Sequence, residues 1–199
     1  MSDKRSINLD VNPDQVALSP LVPDDVTEQY VSWLNDPQVN RFLEARHAAP
    51  HTVQSTRKFV ESCIQAGRIH WGIFVDNEHV GTVTATVDWH NKRAEVSNVV
   101  GVARFRGSQV AKLSLGGALD YMFGELNLNR VDAGVYANHI GGISLLASLG
   151  FRQEAVITQR FVFGSGYVDG LLFGMLNDSW NEYKVRVQPI RVVGPEWLD

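Results

Sequence analysis

Residues 94–151 constrain this chain more than any other part of it. An alternating, β-branched run, Ala94-Glu95-Val96-Ser97-Asn98-Val99-Val100-Gly101-Val102, meets a basic turn, Arg104-Phe105-Arg106-Gly107-Ser108-Gln109-Val110-Ala111. Helical spacing follows, with Ala111, Leu115, Ala118, Leu119, Met122 and Leu126 on one face. A second strand-like run covers residues 130–136, and a short apolar helix closes on Leu149-Gly150-Phe151. A basic, glycine-containing turn between a strand and a helix can hold a pyrophosphate. The first helical turn leaves backbone N–H groups without partners and carries partial positive charge, so phosphate oxygens satisfy both. Arg104, Arg106 and Lys112 add Coulombic attraction at that turn.

The rest of the chain reads as one α/β unit with ragged ends. Residues 1–14 are polar and are expected to form a flexible N-terminal segment. A first strand is predicted at 15–22, a helix from Pro23 to Leu34, and an irregular stretch at 39–52. A second helix spans 52–66 and ends at Gly67. Strands follow at 70–75, 80–87 and 93–102, the first two joined by a tight hairpin at 76–79. Residues 151–161 and 167–176 form a last hairpin. Gly116-Gly117 costs about 1 kcal/mol per residue inside a helix, which predicts close backbone packing there. Residues 181–199 show no helical period and are expected to form an extended arm, docked on this core or on a partner subunit, because exposed apolar runs are disfavoured.

Composition narrows the function. With 199 residues and 44% hydrophobic content, the chain can bury one substantial core. A net charge of −4 without a basic block argues against nucleic-acid binding. The single Cys63 excludes an internal disulfide or multi-cysteine metal site and suits a reducing compartment; it reads as an inert core thiol. No signal-peptide pattern and no membrane-spanning apolar run are present, so a cytoplasmic location without membrane association is expected.

The turn Arg106-Gly107-Ser108-Gln109-Val110-Ala111, the later Tyr136-Ala137-Asn138-His139 and the closing Leu145-Leu146-Ala147-Ser148-Leu149-Gly150-Phe151 carry a family resemblance. With the flanking Trp33-Leu34-Asn35-Asp36-Pro37 and Trp180, residues 15–182 are similar to the GNAT N-acetyltransferases, in the branch of ribosomal-protein and amino-sugar acetyltransferases. The resemblance implies a mixed, mostly antiparallel twisted sheet of six to seven strands flanked by about four helices, with acetyl-CoA as acyl donor and no metal. Residues 15–182 would form the acyltransferase domain and 183–199 a C-terminal arm. The donor site it implies comprises Val100, Gly101, Val102, Arg106, Gly107, Ser108, Gln109, Val110, Ala111, Asn138 and His139. Gly101 would allow close approach of the pantetheine arm, and a backbone N–H near residues 100–102 would polarise the acetyl carbonyl.

Three positions depart from the family pattern. Gln109 stands where a glycine is usual, which is harmless if its backbone is helical and obstructive if a phosphate presses on its Cα. His139 stands for a capping Asn. Leu146 stands for a Tyr that protonates the leaving thiolate, and an aliphatic group cannot do so.

N-acetylation needs a base for the acceptor amine. Glu95 holds the strand position where this branch often carries a carboxylate; its alternative is an exposed residue paired with Lys92 or Arg93. His90 is the second candidate and His139 a third polar participant. Arg41, Arg46 and His51 give the irregular stretch a cationic character suited to a phosphate- or carboxylate-bearing acceptor, and Trp89 and Tyr167 offer stacking faces. The leading expectation is acetyl transfer to a small-molecule amine, a nucleotide-linked amino sugar. The alternatives are a protein N-terminal acetyltransferase and a non-catalytic acyl-CoA-binding or assembly protein. A homodimer fits any of the three.

Overall fold

The computed structural model describes residues 11–48 and 50–198. In chain order the elements are β1 (Val16–Pro20), α1 (Glu28–Asn35), α2 (Pro37–Asn40), α3 (Val53–Gln65), β2 (Arg68–Val75), β3 (Glu78–Asp88) and β4 (Arg93–Val100). Then come α4 (Val110–Gly124), β5 (Arg130–Tyr136), α5 (Ile140–Ser148), β6 (Arg152–Phe163), β7 (Gly166–Leu176), α6 (Asn177–Tyr183) and β8 (Arg191–Val192). The strands make one sheet in the order β6-β7-β5-β4-β3-β2-β1-β8. All pairings are antiparallel except β4 with β5 and β1 with β8. The mixed, mostly antiparallel sheet matches the sequence expectation; the strand count is eight rather than six to seven, and six helices replace about four.

Local chemistry accounts for most boundaries. Asp76 and Asn77, at φ 49° and 66°, close the β2–β3 hairpin in the left-handed conformation that short polar side chains tolerate. Thr52 Oγ1 accepts from Ser55 N–H at 3.1 Å and starts α3. The helix expected from Pro23 is broken: Pro23–Asp25 is a 3-10 turn, Val26 is extended, and Thr27 recaps α1 by accepting from Tyr30 N–H at 3.2 Å. Of the expected flexible segment 1–14, residues 1–10 lie outside the described residues; within 11–14, Asn12 Oδ1 accepts from Asp14 N–H.

The expected arm is partly helical, since α6 runs into it, and Trp180 at its centre is 1% exposed with Nε1 donating to Asp120 Oδ1 at 2.8 Å. The remainder folds back over α4 and pairs with the free edge of β1. The two helix glycines lie beneath it. A Cβ on Gly116 would come within 2.6 Å of Val187 Cγ1, and one on Gly117 within 2.5 Å of Ile190 Cγ1. Val193 N–H donates to Leu18 C=O and Trp71 Nε1 donates to Val193 C=O, at 2.9 and 2.8 Å. The close packing at Gly116-Gly117 is therefore with the C-terminal arm. No helix among the described residues is long and apolar enough to cross a membrane.

Beneath α1 lies a buried polar chain. His70 Nε2 is 3.0 Å from Tyr30 Oη, and Nδ1 is 2.7 Å from Thr84 Oγ1. Burial pushes the His70 pKa down to about 4, helped by neighbouring His79. The folded state therefore holds the neutral ring, while an unfolded histidine takes a proton below about 6.5. Stability is full above pH 6.5 and falls as the pH drops towards 4. The loss amounts to roughly 3 kcal/mol. Thermal melts should show this decline, and His70→Gln should flatten it. An equal slope in the variant would assign the decline to other groups.

Candidate active site

β4 and β5 are joined over only three residue pairs, 93–95 against 130–132. Beyond them β4 stays on β3 as far as Val100, and β5 stays on β7 as far as Tyr136. The two strands part, and a wedge opens between residues 96–100 and 133–136. Backbone parity decides which groups face it. Gly101 N–H donates to Val80 C=O, so the alternation of an antiparallel ladder turns the backbone of Val96, Asn98 and Val100 towards the wedge. Of the three residues expected to offer an N–H, only Val100 is so placed; Gly101 and Val102 both donate to Val80 C=O. Gly101 also has a different reason to be glycine. An added Cβ would overlap the Trp33 ring, so the close approach there is by Trp33 of α1.

The basic turn lies at the wide end of the wedge. Gly107 has φ +81°, which favours glycine. Gln109 has φ −71° and ψ −9°, ordinary helical values, and is exposed. A side chain is therefore tolerated there, and the usual glycine is not a backbone requirement. Val110 N–H donates to Ser108 Oγ at 3.2 Å. Among the described residues, the N–H groups of Gly107, Gln109, Ala111 and Lys112 have no protein acceptor. Arg106 and Lys112, both half-buried, have no carboxylate partner among those residues, whereas Arg104 is bound by Glu78. Free donors and free cations converge on one turn, and the set fits a diphosphate.

The two faces of the sheet differ. On β4, Ala94 and Val96 are buried, and Asn98 Nδ2 donates to Ser114 Oγ of α4 at 3.0 Å. Glu95 and Ser97 therefore face away from α4. There a groove of about 460 Å³ is lined by Glu95, Asp132, Gly134, Glu154, Arg160 and Leu172, among others. Arg93 bonds Asp132 at 3.3 Å and Asp88 at 3.4 Å, and Arg130 bonds Asp132 at 2.6 Å and also Glu154. Glu95 is in none of these pairs: Arg93 is occupied elsewhere, and the carboxylate stands unpaired among the described residues where the strands part.

The other predicted residues are dispersed. His90 and Trp89 are exposed at the β3–β4 turn, on the opposite side of the 93–95 pairing from the wedge. Tyr167 is 66% exposed near the start of β7. His51 is structural: Nε2 is 2.8 Å from Ala45 C=O, and its backbone exchanges bonds with Asn35. Arg46 donates to Arg41 C=O, Val162 C=O and Tyr136 Oη, and lies over the rings of Tyr136 and Phe163. It ties three segments together and offers no free fork. Arg41 is exposed, over Phe42. His139 caps α5, its Nδ1 accepting weakly from Gly142 N–H at 3.4 Å, and stacks on Phe42 at 4.1 Å. Burial and Arg41 lower its pKa, which favours the neutral ring. Asn138 is exposed beside it, and Leu146 is buried in the core.

Sequence reasoning missed an aromatic wall. Phe42, Tyr136, Phe161 and Phe163 pack at the end of β5, with the Tyr136 and Phe161 ring centroids 3.9 Å apart. Tyr136 Oη donates to Glu44 Oε1 at 2.8 Å; burial, then that carboxylate, pushes its pKa up to about 12. Strand alternation contains the signal, because Arg130, Asp132, Gly134 and Tyr136 share one face of β5. Phe42 lies in a turn and Glu44 opens a short 3-10 helix, and neither has such a signal.

Comparison with known proteins shows the family. The Acetyltransferase (GNAT) domain model matches residues 15–152. The uncharacterized N-acetyltransferase p20 of Bacillus licheniformis is 29% identical over 164 residues, covering 78% of this chain and 88% of that protein. Mycobacterium smegmatis RimJ, solved in complex with CoA-disulfide, superposes with a TM-score of 0.75 at 19% identity, over 88% of this chain and 89% of that one. The spermidine N-acetyltransferase of Vibrio cholerae, solved with CoA and spermine, gives a TM-score of 0.74 at 17% identity, over 84% and 98%. The chain belongs to the GNAT acetyltransferase family and is an acetyl-CoA-dependent N-acetyltransferase.

Proposed function

We propose that this enzyme acetylates the primary amine of a nucleotide-linked amino sugar, with Glu95 as the base. The observation that carries the reading is the unpaired Glu95 carboxylate where β4 and β5 part, bordering the groove on the face away from α4. The donor supplies the thioester: the amine nitrogen bonds to its carbonyl carbon, the carbon–sulfur bond breaks, and the proton that the nitrogen sheds as the amide forms passes to the sulfur, so CoA leaves as the thiol. The α4 turn would hold the diphosphate through the N–H groups of Gly107, Gln109, Ala111 and Lys112 and the side chains of Arg106 and Lys112. Val100 N–H, turned to the wedge, can donate to an oxygen on which negative charge develops. Glu95 takes a proton from the acceptor ammonium, leaving the free amine to attack.

The groove has the volume of a small-molecule site. Its cations and carboxylates balance, with three of each along the lining. That balance suits an acceptor carrying both an amine and an anionic group, and it suits a polycation such as spermidine less well. The test is a steady-state screen with acetyl-CoA against a nucleotide-linked amino sugar, free amino sugars, spermidine and an N-terminal peptide. Preference for the nucleotide-linked sugar is expected. Turnover of the peptide or spermidine alone would overturn the acceptor assignment.

A further inference from the structure

At the β6 end of the groove, the chain makes one irregular turn that aims a single cation. The β6–β7 register shifts between Ile157 and Phe161, and within that bulge Gln159 adopts φ +51°. Its N–H donates to Asp169 Oδ1 at 2.8 Å, which holds the unusual backbone in place. Bulges re-aim side chains, and this one directs Arg160 into the groove lining. Across the ladder stands Gly170, where any Cβ would overlap the Arg160 stem and approach Phe161 within 3.0 Å. The absent side chain is what makes room for the Arg160 methylenes. The guanidinium carbon lies 5.4 Å from the Phe161 ring centroid, and no carboxylate among the described residues pairs with it.

The lining is therefore polarised. Asp132 and Glu154 are neutralised by Arg93 and Arg130, which leaves Glu95 as the unpaired anion at the wedge end and Arg160 as the unpaired cation at the other. Arg160 is exposed, its stem lies on the bare Cα of Gly170, and its unpaired guanidinium offers the planar donor fork that phosphate and carboxylate oxygens fit. We propose that Arg160 is the specificity-determining residue that binds the anionic group of the acceptor while its amine lies at Glu95. This rests on the acceptor groove assigned above and adds the residue that reads the acceptor's anionic group, a phosphate or carboxylate joined to the amine. It also moves anion recognition from Arg46 and His51, which are engaged elsewhere, to a residue on β6.

The test is calorimetric binding in saturating CoA, so that the α4 turn is occupied, with UDP-glucosamine and glucosamine as probes. Wild type should bind the phosphate-bearing probe at least about tenfold more tightly, the size of one charge-assisted contact. Arg160→Ala should abolish that preference, Arg160→Lys should keep part of it, and CoA affinity should stay the same in both. No preference in the wild type, or an undiminished one in Arg160→Ala, overturns the proposal. Loss of the preference in Arg160→Ala without turnover of any amino sugar would leave the anion anchor standing and remove the sugar assignment. With a turned-over substrate, the same variant should raise KM and leave kcat within about twofold, since Arg160 does not touch the reacting atoms.

Discussion

Glu95→Gln should lower kcat about a hundredfold while leaving CoA affinity within about twofold, the lower part of the range for general-base catalysis. The change keeps the shape of the side chain and removes its charge and basicity. The fraction of acceptor that arrives as its ammonium must lose a proton before the nitrogen can attack, and the nitrogen sheds another once the amide bond forms, so a base is needed. Glu95 is exposed, so water can partly replace it, and this limits the expected loss. CoA binding should not respond, because the α4 turn is built from other residues. Kinetics across pH give the decisive reading. The acid limb of the kcat profile should move or vanish in the variant. An unchanged profile with unchanged kcat would remove Glu95 as the base. His90→Gln serves as the comparison and should be close to wild type, since His90 is exposed on the hairpin turn away from the wedge.

Arg106→Glu should weaken CoA binding about a hundredfold in calorimetric titration. Removing one charge-assisted bond costs about 1.5–3 kcal/mol, or roughly ten- to a hundredfold, and the new carboxylate adds repulsion from the diphosphate. Raised salt should narrow the gap between variant and wild type, because screening weakens both attraction and repulsion. Two further variants make the result specific. Arg104→Ala should have a smaller effect, because Glu78 already holds that guanidinium. Gln109→Gly should bind CoA within about threefold of wild type, because Gln109 has the backbone of a normal helix start. Wild-type affinity in Arg106→Glu would place the diphosphate away from this turn.

Residue order pointed to the basic turn and to Glu95, and not to the residues that line the groove beyond them. The alternation of residues 94–96 is what sets Glu95 opposite Ala94 and Val96, although its expected role came from the family resemblance, and caps and turn residues marked the ends of α3, the start of α4 and the β2–β3 hairpin. The misreadings have a common form. Arg46 looked like a free anion receptor, yet its guanidinium is taken up by Tyr136, 90 residues away, and by Val162, 116 away. Gly101 looked like room for a ligand and is room for Trp33. Arg160 gave no sign at all, because its direction depends on a bulge that exists only when β6 meets β7.

By itself, then, the sequence determined the α/β core, the basic turn with its unpaired N–H groups, and the face on which Glu95 lies. These follow from periodicity, capping and backbone conformation, which act over a few neighbouring residues and can be read in order. The tertiary structure alone decided the wedge between β4 and β5, the docking of the C-terminal arm over Gly116 and Gly117, and which arginines remain free to meet a substrate. Those outcomes depend on which distant groups reach each cation or each bare Cα first, and that competition is settled only when the whole chain packs.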